Sequence, residues 1–149
     1  MEKLAKIIQE NDLYVISDEI HCDLLRKNQK HIPLGKIMPE YKKLVTCMAP
    51  SKTFNMAGLM ISNILIREER MLWNNKHYNF DNPLSIAAAQ AAYEKGEPWL
   101  RELQEYLDDN FAFTKSYLEE HLEKAKMQIS EATYLAWVDL SAYFSKEEE

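Results

Sequence analysis

At 149 residues and 46% hydrophobic content, the chain has enough apolar material for one ordinary buried core. A formal net charge of −6 argues against a nucleic-acid-binding surface, which would need clustered Lys and Arg. Nothing reaches the length of a membrane span: the most apolar window, residues 56–66, is short and broken by Gly58, Ser62 and Asn63.

The opening residues have helical spacing and an early acid, Glu2, which is not the pattern of a secretory signal. Leu4, Ile7 and Ile8 form an i, i+3, i+4 stripe, so an amphipathic helix is expected, stopping near Asn11-Asp12. Residues 13–17 read as a short apolar strand covered on both faces. Residues 21–41 hold Pro33, Gly35 and Pro39 among polar side chains and read as irregular connection. Strands follow at 44–48 and 61–66, and the short link between them lacks helical periodicity. The third strand is therefore expected to run antiparallel to the second. Helices are expected at 67–76 and at 83–95, the latter with Pro83 in its first turn and Gly96 as its C-terminal cap. A long helix should run from Pro98 to about residue 125, and residues 133–140 read as a last strand. The terminal Lys146-Glu147-Glu148-Glu149 reads as a solvated tail. Cys22 and Cys47 read as reduced thiols, and a cytoplasmic location is expected. Gly35, Gly58 and Gly96 are the only glycines, too few and too scattered for a glycine-rich phosphate loop.

Two segments carry chemistry. Ser17-Asp18-Glu19-Ile20-His21 places an acid at the carboxyl end of an apolar strand. Ala49-Pro50-Ser51-Lys52-Thr53-Phe54-Asn55-Met56-Ala57-Gly58-Leu59 places a lysine in a tight turn straight after another. An amine and a carboxylate so presented suit pyridoxal 5′-phosphate (PLP): the lysine bonds the aldehyde as an imine, and the acid keeps the pyridine nitrogen protonated. With Asn82-Pro83-Leu84-Ser85-Ile86-Ala87-Ala88 and Thr133-Tyr134-Leu135-Ala136-Trp137-Val138-Asp139, these segments resemble fold-type I PLP-dependent enzymes of the class I/II aminotransferase family. Their wording is most similar to the cystathionine β-lyase (carbon–sulfur lyase) branch.

The resemblance implies an α/β fold with partial fold-type I PLP-transferase architecture: late large-domain strands with covering helices, a long helix, and the start of a small domain. Residues 1–97 would be the C-terminal part of the PLP-binding large domain. Residues 98–149 would be the long linking helix and the first part of the small domain. The family's upstream phosphate-binding turn, ring-stacking aromatic and ring-oxygen asparagine cannot be assigned, nor can its downstream substrate-binding arginine. The chain is accordingly expected to be an internal fragment that binds PLP weakly and turns over little.

By the same resemblance, Lys52 joins the cofactor and then serves as the base that removes the substrate's α-proton. Asp18 pairs with the pyridine nitrogen, Ile20 packs on a ring face, His21 hydrogen-bonds the ring oxygen, and Ser51 donates to the phosphate. Taken singly, Asp18 reads as a turn acid and Lys52 as a surface lysine; it is their order together that carries the cofactor reading. Asp18, His21, Cys22 and Asp23 as metal ligands match no closed zinc spacing, and a His21–Cys22 nucleophilic pair is disfavoured because adjacent side chains diverge. His31, His77 and His121 show no partner pattern.

The implied activity is β-elimination on cystathionine or cysteine, giving pyruvate, ammonia and a thiol. The alternatives are an aminotransferase on the same scaffold and a non-catalytic remnant. The common aminotransferase signature has an arginine eight residues after the lysine, where this chain has Met60. The implied partners are a sulfur-containing amino acid and, in the full-length enzyme, a second subunit near Asn82-Pro83.

Overall fold

The computed structural model describes residues 1–69 and 82–144. The helix expected at 67–76 and the terminal tail lie mostly or wholly outside them. The chain forms two compact units, Met1–Asp23 with Lys30–Glu97, and Leu24–Gln29 with Pro98–Glu149. Among the described residues, no helix is long and apolar enough to cross a membrane.

In the first unit, α1 (Glu2–Glu10) forms where the spacing placed it and ends at Asn11, whose side-chain amide donates to the Ile7 carbonyl. Its buried residues are Ala5 and Ile8; Leu4 and Ile7 remain half exposed, so the covered stripe is narrower than the sequence pattern. Ala5 and Ile8 pack with Leu34, Met38 and Leu44 to make the core of the unit. Leu34 opens α2 (Leu34–Ile37), a single helical turn inside the stretch read as irregular, and Met38 caps it.

The sheet has the order β1-β2-β3. Strands β1 (Val15–Asp18) and β2 (Leu44–Met48) are parallel, with Val15 opposite Leu44 and Asp18 opposite Cys47. Strand β3 (Asn63–Ile66) is antiparallel to β2, as the short link required. Because side chains alternate along a strand, Val15 and Ser17 face the core side with Leu44, while Ile16 and Asp18 face the other. That other face is not covered as expected: Ile16 is 76% exposed, so β1 alternates instead of being buried on both sides.

Between β2 and β3 the chain makes α3 (Pro50–Thr53) and a 3-10 turn, Ala57–Leu59. Asn55 and Met60 take left-handed backbone conformations that fold this link tightly. Helix α4 (Pro83–Lys95) starts as foreseen: the Leu84 N–H donates to Asn82 Oδ1 at 2.9 Å, and Pro83 occupies the first turn. Its buried Ser85 donates to the Leu59 carbonyl at 2.8 Å, which anchors the link. Gly96 does cap α4, but with an ordinary φ of −84°, so conformational freedom is not why glycine is there. Space is the reason: a Cβ at Gly96 would sit 2.4 Å from the Ala92 carbonyl oxygen and 2.6 Å from the Phe54 ring.

In the second unit, α5 (Glu97–His121) buries Phe111. Residues 24–26 pair with residues 131–133: the Arg26 N–H donates to the Glu131 carbonyl and the Thr133 N–H to the Leu24 carbonyl. Arg26, itself buried, lies 4.6 Å from the Phe111 ring centroid, contacts Asp108 at 3.2 Å and donates to the Thr133 carbonyl. The strand expected over 133–140 is therefore corrected. Only β5 (Val138–Asp139) pairs, with β4 (Lys126–Met127). Upstream of it the segment is held by residues 24–26, with Thr133 at a φ of 70°.

Candidate active site

Parallel pairing brings the carboxyl ends of β1 and β2 to one edge of the sheet. Asp18 is the last residue of β1, and Lys52 lies in α3, just past the end of β2. A one-turn helix buries positions one face apart, and here Pro50 and Thr53 are the buried pair. Ser51 and Lys52 are left half-buried on the remaining side of the turn. Among the described residues the Lys52 amine takes part in no ion pair or hydrogen bond. Asp18 is exposed, and its Oδ1 accepts the Ile20 N–H at 3.2 Å. That Asx turn orients the carboxylate and engages one of its two oxygens.

Ile20 and His21 follow in a turn closed by the Cys22 N–H donating to the Glu19 carbonyl at 3.0 Å, and both side chains are half-buried. The structure thus places the five sequence-predicted residues on two adjoining segments at the carboxyl ends of the strands: Asp18 closing β1 with Ile20 and His21 after it, and Ser51 and Lys52 after β2. The backbone joins these segments at their start, where the Glu19 N–H donates to the Cys47 carbonyl at 2.8 Å. A groove of about 650 Å³ lined by Glu19, Pro33, Lys36, Thr46, Met48 and Leu65 opens elsewhere; neither Asp18 nor Lys52 lines it.

This donor set fits a molecule with an aldehyde and a basic ring nitrogen. Among the described residues it offers a lysine amine and a carboxylate oxygen that make no hydrogen bond or ion pair, on neighbouring segments, with His21 three positions after the acid. Cys22 does not add a nucleophile. Burial, reinforced by the Asp23 and Glu19 carboxylates, pushes its thiol up to about 11, so it stays protonated at neutral pH.

Two features were missed in the sequence. Glu19 is buried and accepts from His31 Nε2 at 2.8 Å, the Ser17 hydroxyl at 3.0 Å and the Leu34 N–H at 3.1 Å. Burial alone would raise its pKa, but the donors together outweigh it and hold the carboxyl below the usual range. His31, for which the sequence showed no partner, is thus part of this cluster. The only signal was strand alternation, which turns the acid after Asp18 toward the core. The second feature, a bond between Asp23 and Thr53, has no sequence signature because its ends are 30 positions apart.

Comparison with known proteins accords with this geometry. The model of the family "Aminotransferase class I and II" matches residues 1–149. The cystathionine beta-lyase PatB of Bacillus subtilis is 40% identical over 95% of this chain and 38% of its own length. The MalY protein of Escherichia coli is 33% identical over 94% of this chain and 37% of its own. Among solved structures, the PLP-bound C-S lyase from Staphylococcus hominis is 53% identical with a TM-score of 0.94, covering 99% of this chain and 38% of that one. This chain therefore spans well under half the length of these relatives. The partial fold-type I α/β architecture and the likeness to the carbon–sulfur lyase branch expected from the sequence are borne out. The chain belongs to the aminotransferase class I and II family.

Proposed function

We propose that this chain is the cofactor-holding part of a cytoplasmic, PLP-dependent carbon–sulfur β-lyase that acts on a sulfur-containing amino acid such as cystathionine or cysteine. The observation that carries the reading is the placement of Asp18 and Lys52 on neighbouring parallel strand ends. The names of the PLP-bound C-S lyase and of the cystathionine beta-lyase support it. When bound, PLP would supply the electron sink that lets an amino acid lose its α-proton and expel a thiol from its β-carbon, and water would hydrolyse the remaining unsaturated amino acid to pyruvate and ammonia.

The chain's own residues would then divide the work. Lys52 would hold the aldehyde carbon and, when not so engaged, would move the substrate's α-proton. Asp18 keeps the ring nitrogen protonated, and its Asx turn limits reorientation while it does so. His21 would donate to the ring oxygen, Ile20 would cover a ring face, and Ser51 would reach the phosphate. Residues 1–97 would belong to the large domain and 98–149 to the linking helix and small domain, with a homodimer contact near Asn82 and Pro83.

Treating the chain with PLP and then borohydride should fix a pyridoxyl group on the peptide that contains Lys52. Mass mapping of Lys52→Ala should find that peptide unlabelled. A label found only on other lysines would overturn the assignment. Grafting residues 1–149 in place of the matching segment of the Staphylococcus hominis lyase separates the activities. Pyruvate and thiol release from cystathionine without a keto-acid acceptor is expected of a lyase; activity only with an acceptor would make it an aminotransferase.

A further inference from the structure

The bond between Asp23 and Thr53 lies beside the residues assigned above. Thr53 follows Lys52, is 0% exposed, and donates through Oγ1 to Asp23 Oδ2 at 2.9 Å. Asp23 ends the His21-Cys22 segment that leaves β1, so this bond joins the segment bearing Asp18 to the turn bearing Lys52. The backbone bond from Glu19 to Cys47 aligns the strand ends just before α3, and the Thr53 bond adds a side-chain tie from the turn itself. Any rotation of the turn that carried the Lys52 side chain elsewhere would pull the threonine hydroxyl off Asp23.

The inner side of the turn is closed as well. The Phe54 ring meets Tyr93 edge-on at a centroid distance of 5.5 Å, and Gly96 leaves room for it where a Cβ would not. Burial, then the nearby Asp23 and Cys22, raise the pKa of the Tyr93 phenol, so it remains a neutral neighbour to the Asp23 carboxylate. The bond runs from a buried hydroxyl to a half-buried carboxyl group, and a hydrogen bond partly shielded from water is stronger than one in water.

Resting on the cofactor reading above, we propose that Asp23 and Thr53 are positioning residues whose hydrogen bond sets the span between the Lys52 amine and the Asp18 carboxylate. The pair touches no reacting atom. It fixes the separation that a ligand with an aldehyde at one end and a ring nitrogen at the other must match.

The test uses two probes, PLP and deoxypyridoxine phosphate, which keeps the ring and phosphate but has a methyl group in place of the aldehyde and cannot bond a lysine. Both are titrated into the 149-residue chain and its variants. Thr53→Val and Asp23→Ala break the bond from opposite sides. Each should lose about tenfold in PLP affinity, the scale of one hydrogen bond to a charged group, while affinity for the deoxy analogue stays unchanged. Thr53→Ser, which keeps the hydroxyl, should restore PLP binding. Equal losses for both probes, no loss for PLP, or unfolding of both variants by circular dichroism would overturn the proposal, since the bond would then be structural or idle. A wild-type chain that binds neither probe overturns the cofactor reading itself.

Discussion

Adjacent acids at positions 18 and 19 meet different fates because a strand turns consecutive side chains to opposite faces. Asp18 faces the exposed side, where a carboxylate costs little, and Glu19 faces the core, where it is stable only through its three donors. Those donors come from Ser17, His31 and the Leu34 N–H, so Glu19 fastens the connection around α2 to the end of β1. Glu19→Gln substitutes a neutral amide for an acceptor-only group and should cost about 2 kcal/mol of stability at neutral pH. The pH dependence has a definite sign. The folded-state pKa of Glu19 is lowered from 4.5, so the ionised form is favoured by folding. The stabilisation is complete above that value and is lost as pH falls through and below it. Urea unfolding should therefore show a gap between wild type and Glu19→Gln that is widest at neutral pH and narrows in acid. A gap that widens on acidification would refute the assignment.

At the scale of elements, Gly96 shows how a helix end serves the site. Its backbone is in the ordinary right-handed region, so Gly96→Ala meets no φ penalty. The added methyl would instead lie 2.4 Å from the Ala92 carbonyl oxygen and 2.6 Å from the Phe54 ring, and the ring is already packed on Tyr93. A loss of about 1–3 kcal/mol is expected, and Phe54→Leu in the same chain should recover part of it by relieving the ring contact. Thermal unfolding of the single and double variants measures both. The sequence foretold elements whose signals are local. The spacing of α1, the apolar run of β2 and the Asn82-Pro83 start of α4 all formed, and the positions of Asp18 at the end of β1 and of Lys52 just past β2 were legible from the apolar runs before them. What stayed hidden depends on distant partners. Arg26 falls in the stretch read as irregular connection yet is buried against Asp108 and Phe111, and Thr133 looks like the start of a strand yet pairs with Leu24. The Asp23–Thr53 bond belongs to this class, since neither residue type announces a partner so far along the chain.

At the scale of the whole molecule, what distinguishes this chain is the apolar surface left open on its sheet. Ile16 is 76% exposed and Ile64 50%, and the register places both on the face that also carries Asp18. Among the described residues the sheet ends at β1 on one side and β3 on the other, so each offers an unpaired row of backbone groups. An exposed apolar face flanked by open edges favours both dye binding and self-association. The chain is expected to enhance the fluorescence of 1-anilinonaphthalene-8-sulfonate and to sediment as larger species as its concentration rises. Ile16→Lys should reduce both effects by placing a charge on the face and beside the edge. Because Ile16 makes little buried contact, the same substitution should change unfolding stability by no more than about 0.5 kcal/mol. Dye fluorescence and analytical ultracentrifugation supply the measurement. A chain that stays monomeric and dark to the dye would mean that this face is covered in solution, and the exposure of Ile16 would have to be abandoned.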